Sequence, residues 1–213
     1  MSRVFQNRQD AGEQLAERLA ETKVDADALV LGLPRGGLPI AEVVARKLGL
    51  KLEAFNVRKL GVPYQPELAM GAIAEDGTRF LNRRLIQMLE LTEQDIRRVQ
   101  DREEDTLAER SLRYRAGRPK PQIADRPIIL VDDGLATGAT MHAALNAIRH
   151  QHPERVTVAV PVAARDTADE FRRLADEFVC VLEPEDLGGV GCWYADFSQV
   201  SDQEVCDILA AMA

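Results

Sequence analysis

This sequence predicts an α/β fold, a central parallel sheet flanked by helices. Three observations carry that prediction. First, short apolar runs rich in β-branched residues recur: ALVLGL over 28–33, IILV over 128–131, VTVAVPV over 156–162 and FVCVL over 178–182. Runs of this length suit strands buried on both faces better than helices. Second, stretches with helical periodicity separate them, and such alternation implies a parallel sheet with helices on both faces. Third, glycines clustered with arginine or with acids fall where a strand pattern gives way to a helical one. The carboxyl ends of parallel strands are where open α/β sheets bind ligands.

The elements follow in order. Ala11, Leu15, Leu19 and Ala20 sit at helical spacing with charge between them. They predict an amphipathic scaffold helix over about 10–22, with Phe5 packed near it. Strand 28–33 leads into a helix whose face is Ile40, Val43, Val44 and Leu48 and whose stop is Gly49. KLEAFNV over 51–57 alternates as a second strand, ended by Arg58-Lys59-Leu60-Gly61. Pro63, Tyr64 and Pro66 mark an exposed loop. Two short strands, 71–74 and 78–81, flank the hairpin signal Glu75-Asp76-Gly77. The most charged segment, 92–115, reads as a solvated helix opened by a Thr92/Asp95 capping box. Its sparse apolar face is Ile96, Val99, Leu107 and Leu112. Breakers over 116–122 return the chain to strand 128–131. A helix from near Thr140, strand 156–162, a helix over 168–177 and strand 178–182 follow. A glycine-rich aromatic loop over 183–197 and a packing helix over 202–212 complete the chain. Core strands lie on both sides of the 116–122 linker, so 1–213 reads as a single domain.

The stretch PIILVDDGLATGATM over 127–141 carries the most chemistry. Its strand ends in Asp132 and Asp133, and Gly134, Ala136, Thr137, Gly138, Ala139 and Thr140 lead into the next helix. Unpaired backbone N–H groups and the positive dipole end at a helix start suit a phosphate. Gly138 lets the backbone approach an anion, and the threonines add hydroxyls. Two adjacent acids would repel that phosphate unless they accept hydrogen bonds from a sugar diol or hold Mg²⁺. The stretch therefore reads as a sugar-phosphate site. A P-loop is excluded because Ala139 stands where its lysine belongs, and GxGxxG is absent. A receiver domain opens on its acid-ended strand, whereas over a hundred residues precede this one.

Three further stretches are candidates. Leu33-Pro34-Arg35-Gly36-Gly37 combines a cation with two glycines at a strand end and helix start, an anion nest. Arg58 and Lys59 are two cations where the second strand ends, facing an anion or a solvated turn. Trp193, with Tyr194 and Phe197 behind it on a flexible loop, is placed either to stack on a planar base or to anchor a C-terminal cap. Glu67 reads more as a surface acid than as a site residue, and Arg113 and Arg115 more as parts of a solvated helix than as flap cations.

The acid pair followed by ATGAT resembles the phosphoribosyl-diphosphate (PRPP) signature of type I phosphoribosyltransferases. The Arg35-Gly36-Gly37 turn resembles that family's diphosphate loop, and LPIAEVVARKLG after it looks most like the xanthine- and guanine-using members. The resemblance covers about 28–197 and implies the type I fold with a small hood or flap, contributed by about 61–120 and 184–200. It implies transfer of ribose 5-phosphate from PRPP to a nitrogen nucleophile, a nucleobase above all, with release of diphosphate. By the same resemblance Asp132 and Asp133 are the catalytic pair. They bind the ribose hydroxyls and hold Mg²⁺ directly or through water. Residues Gly134, Ala136, Thr137, Gly138, Ala139 and Thr140 hold the 5-phosphate. Arg35, Gly36, Gly37 and Lys59 take the diphosphate. Trp193 is the base-stacking candidate. A non-proline cis peptide is expected near Arg35, and a homodimer is the family's habit. One departure stands out: hypoxanthine- and guanine-using relatives commonly carry an acid where this chain has Ala136, so the loop looks more like that of adenine-, orotate- or uracil-using members. The alternative reading is a PRPP-binding sensor on the same fold without transfer. A generic or receiver-like nucleotide-binding domain is a third.

Composition excludes other classes. The 213 residues are 46% hydrophobic with a net charge of −8, which argues against nucleic acid or anionic membranes as partners. No apolar run approaches the ~18 residues of a membrane span, and no secretory h-region opens the chain. Cys180, Cys192 and Cys206 have no metal-ligand spacing and read as free thiols, which fits a cytoplasmic protein.

Overall fold

The structure, a computed structural model, describes residues 5–117 and 119–212. The side chain of Glu67 lies outside the described residues. Chain order begins α1 (Arg8–Ala20), β1 (Leu29–Gly32), α2 (Gly37–Leu48), β2 (Lys51–Ala54), β3 (Val57–Val62), β4 (Gln65–Ala74) and β5 (Arg79–Leu81). It continues α3 (Arg83–Met88), α4 (Glu93–Arg115), β6 (Pro127–Val131), α5 (Ala139–Arg149), β7 (Arg155–Val162), α6 (Arg165–Leu174), β8 (Glu177–Leu182) and α7 (Asp202–Ala211). A 3₁₀ turn, Val190–Trp193, precedes α7.

The chain forms two compact units. The first comprises Met1–Ala54, Pro121–Thr137 and Gln151–Ala213; the second comprises Phe55–Lys120 and Gly138–His150.

The first unit is built on a five-stranded sheet of order β2-β1-β6-β7-β8, parallel throughout. Every residue of β1 and β6 is buried, as their apolar runs require. Helix α1 starts where the Asn7 side chain accepts the Asp10 amide at 3.0 Å, and it buries Ala11, Leu15, Ala16 and Leu19. Helix α2 buries Leu38, Ile40, Ala41 and Val44 and ends at Gly49. Strand order reverses between β1 and β6: β2 lies beyond β1, and β7 and β8 lie beyond β6.

The second unit holds an antiparallel sheet, β3-β4-β5. Leu60, Val62, Met70, Ile73, Ile96 and Leu107 form its core. The segment 51–57 is not one strand. Strand β2 ends at Ala54, and β3 pairs antiparallel with β4 in the other sheet. The reason is visible in burial: Ala54, Phe55, Asn56 and Val57 are all buried, so the alternation breaks there. Asn56 explains how a polar residue stays inside. Its amide donates to Glu75 Oε2 at 3.0 Å and to Ser111 Oγ at 3.2 Å. Ser111 Oγ also donates to Glu75 Oε2, and Arg115 pairs with the same carboxylate.

Helix α4 carries the expected Thr92/Asp95 capping box. Its buried face is Ile96, Leu107 and Tyr114, whereas Leu112 is 77% exposed. Five residues past Leu107 turn the helix by roughly 140° beyond a full turn, which takes Leu112 off that face. Helix α3 has no counterpart in the sequence reading. Asn82 caps it by accepting the Leu85 amide at 3.0 Å.

Candidate functional site

Strands β1 and β6 are parallel neighbours with Gly32 opposite Val131, and the Leu33 amide donates to the Val131 carbonyl at 2.9 Å. Their carboxyl ends therefore emerge side by side at the point where strand order reverses. In open α/β sheets that reversal opens the crevice in which ligands bind.

Two loops fill this position. The Pro34–Arg35 peptide is cis, as expected beside Arg35, and α2 starts two residues later. A Cβ on Gly37 would lie 2.7 Å from both Asp132 Cα and the Val131 carbonyl oxygen. A Cβ on Gly36 would overlap Asp133 Oδ2 outright. Glycine at both positions is what lets the arginine turn and the acid pair close on each other.

The acid pair is half-buried, and its two carboxylates are held differently. Asp132 Oδ1 accepts the Asp133 amide at 2.8 Å. Asp133 Oδ2 accepts Arg8 Nη2 at 3.0 Å and Arg8 Nε at 3.3 Å. The Tyr194 hydroxyl donates to the Asp133 carbonyl at 2.7 Å. Burial pushes the Asp132 carboxyl well above the ordinary range, and the neighbouring Asp133 charge adds to the rise. Burial also raises Asp133, with Arg8 pulling the other way. The Tyr194 phenol is raised by its burial first and by Asp133 next.

The remaining candidates divide between the units. Gly134, Ala136 and Thr137 belong to the first unit with Arg35, Gly36, Gly37, the acid pair and Trp193. Gly134 approaches Val190 closely, the Ala136 carbonyl accepts from Thr167 Oγ1 at 2.7 Å, and Thr137 is exposed. Gly138, Ala139 and Thr140 open α5 in the second unit. Gly138 has φ of 69°, the left-handed region glycine favours, and no side chain among the described residues caps the helix.

Lys59 also lies in the second unit, and here the sequence reading is corrected. Arg58 and Lys59 fall inside β3, not at a strand's end. Leu60 and Val62 carry burial past them and extend the strand. Arg58 pairs with Glu103 at 2.6 Å. Both basic residues line a cleft of about 560 Å³ together with Arg98 and Arg102.

Trp193 is half-buried, and its indole N–H donates to the Leu187 carbonyl at 3.0 Å. Tyr194 is buried between Phe5 and Phe197, with ring centroids 5.3 and 4.9 Å away. The loop is stitched to the chain's start by Phe5 N–H to the Trp193 carbonyl and Ala195 N–H to the Phe5 carbonyl. Sequence reasoning missed Arg8 and gave Tyr194 no role of its own. One signal was present for Arg8: a cation in a helix's first turn opposes the dipole and needs another reason to be there.

Among the described residues, no three acids, cysteines or histidines cluster to hold a metal. Two adjacent carboxylates fit Mg²⁺ shared with substrate oxygens and water, not an all-protein cage. No helix among the described residues is long and apolar enough to cross a membrane.

Comparison with known proteins gives the family and the fold. Residues 5–192 match a family model described as phosphoribosyl transferase domain. A protein of Mycobacterium tuberculosis named "Putative phosphoribosyl transferase" is 44% identical over 207 residues. The match covers 97% of this chain and 46% of that protein, so the chain spans about half the length of the curated relatives it matches. The protein TT1426 from Thermus thermophilus, known from a crystal structure, is 42% identical with a TM-score of 0.84 over 99% of both chains. A purine phosphoribosyltransferase from Pyrococcus horikoshii shares the fold at 16% identity, with a TM-score of 0.51 over 94% of this chain and 99% of its own.

Proposed function

The chain belongs to the phosphoribosyl transferase family, and from that premise we propose that it transfers ribose 5-phosphate from PRPP to a nitrogen nucleophile. The bond from the anomeric carbon to the diphosphate oxygen breaks, a carbon–nitrogen bond forms, and the nitrogen loses its proton. The observation that carries this reading is the approach of the Arg35–Gly37 turn to Asp132 and Asp133 at the strand-order reversal. PRPP has an anion at each end and a diol between them. A cationic nest beside a carboxylate pair complements one end and the diol.

The roles follow from charge. Arg35 and the backbone of Gly36 and Gly37 take the diphosphate and stabilise the charge it carries away. The acid pair binds the ribose hydroxyls and favours the positive charge growing at the anomeric carbon. The loop over 134–140 holds the 5-phosphate with Thr137, Thr140 and backbone amides. Mg²⁺, bound through Asp132 and Asp133 directly or through water, would neutralise the diphosphate shared with it. Catalysis is then mainly positioning and electrostatics. The acceptor we propose is a nucleobase. Ala136 supplies no acid to handle its proton, so that proton leaves by another group or by water.

Titration calorimetry with PRPP tests the reading, with and without Mg²⁺, on wild type and on Asp132→Asn/Asp133→Asn. Metal-dependent binding by wild type, lost in the double variant, is expected. Diphosphate release is then screened over purine and pyrimidine bases. A folded wild type that gives no heat with PRPP would overturn the proposal. Binding without release for any acceptor would move the chain to the sensor class.

A further inference from the structure

Arg8 is a largely buried cation beside the acid pair, and nothing in the reaction as proposed so far uses it. Its side chain is 11% exposed, and all of its nitrogens have work. Nε and Nη2 hold Asp133 Oδ2 at 3.3 and 3.0 Å, and Nη1 donates to the Ser198 carbonyl at 2.8 Å. The guanidinium carbon lies 4.1 Å from the centroid of Phe197. Arg8 thus ties the first turn of α1 and the aromatic loop to one member of the acid pair. Tyr194 ties the same loop to the main chain of that same residue.

We propose that Arg8 is a positioning residue that divides the acid pair into two roles. It draws the Asp133 carboxylate back against the Gly36 turn and neutralises it there. Asp132 keeps the less encumbered charge toward the sugar and its metal, and Asp133 meets them only through the oxygen that Arg8 leaves open. The close approach of Asp133 Oδ2 to Gly36 shows the direction in which the group is drawn. The charge argument is independent of that geometry. Two anions beside a diphosphate and a 5-phosphate oppose binding, and one fixed cation halves the opposition without occupying the cationic nest. Lysine would supply the charge but not the three-way fork, because only the planar guanidinium sets fixed donors toward the carboxylate and the carbonyl together.

This inference rests on the proposed function, and the test separates the two. PRPP binding with Mg²⁺ and the kinetics of diphosphate release are measured on wild type, Arg8→Ala and Arg8→Lys, each checked for folding by circular dichroism. Arg8→Ala is expected to weaken kcat/KM for PRPP about tenfold to a hundredfold, the range of a charge-assisted hydrogen bond. KM for the acceptor is expected to stay unchanged. Added guanidinium ion, at concentrations that leave the fold intact, restores part of the loss in Arg8→Ala and none in Asp133→Asn. Arg8→Lys falls between wild type and alanine and keeps the fold should alanine lose it. Wild type without PRPP binding would overturn the proposed function and this inference with it. Wild type that binds while Arg8→Ala and Arg8→Lys bind and turn over equally well would overturn this inference alone. So would a loss in both variants that guanidinium does not relieve, because that marks a structural clasp.

Discussion

The Glu75–Arg115 pair in the second unit and the Asp133–Arg8 pair in the first differ in what surrounds the acid. In the second unit Glu75 is saturated: Arg115, Asn56 and Ser111 all donate to it. In the first unit Asp133 Oδ2 takes Arg8, and a second carboxylate, Asp132, stands beside it with a backbone amide on one oxygen. A saturated ion pair fixes a chain turn. A pair set beside a further acid, raised by burial, has capacity left for a ligand. Charge pairing alone therefore does not distinguish the two; what sets the acid pair apart is incomplete pairing at a strand-order reversal.

The strongest way to break that contrast is Glu75→Ala. It leaves Arg115 and Asn56 without their shared acceptor in a place where Asn56 is only 4% exposed. Arg115 keeps its bond to the Pro119 carbonyl and Asn56 its bond to Ser111, but taking the carboxylate out of a buried ion pair costs about 3 kcal/mol. The urea midpoint should fall accordingly with the slope unchanged. PRPP affinity measured well below the transition should stay at the wild-type value. A large loss of affinity with intact stability would erase the distinction between the two pairs.

Much of this was legible in the sequence because buried strands and helix caps leave local marks. The apolar runs over 128–131 and 156–162, Gly49 as a stop and the Thr92/Asp95 box all correspond to elements observed where the residues suggest them. The acid pair and the arginine turn were legible for the same reason, since each is a short chemical string at a strand end. What was not legible is long-range. Arg8 and Asp133 are 125 positions apart, one at the start of α1 and one after β6, and only the tertiary fold brings them together. The switch of sheets at Phe55–Asn56 left only one local mark, the apolar neighbours Ala54 and Phe55 that break the alternation of KLEAFNV, and one such break is too little to end a strand on. Leu112 was misplaced because a sparsely apolar helix offers too few residues to fix its inner face.

Tyr194→Phe sharpens the comparison on the side of the site. The hydroxyl is buried and donates to the Asp133 carbonyl, so its loss leaves that acceptor unpaired. Stability should drop by about 1.5 kcal/mol, read from the same urea curves. Because the tie runs to the main chain of an acid-pair residue, PRPP affinity should fall as well, which Glu75→Ala does not produce. An unchanged affinity would reduce Tyr194 to packing between Phe5 and Phe197.

Ser111→Ala gives the smallest effect and probes how redundant the second pair is. Ser111 accepts from Asn56 at 3.2 Å and donates to Glu75 at 3.2 Å, both at the long end for a hydrogen bond. Asn56 keeps its bond to Glu75 at 3.0 Å, and Arg115 keeps its ion pair. The loss should be about 0.5 kcal/mol. Combined with Glu75→Ala it should add less than that, because the two changes share one network and the carboxylate that Ser111 serves is already gone. Full additivity in the double variant would mean that Ser111 acts outside this network, and the second pair would then be a simple ion pair with neighbours.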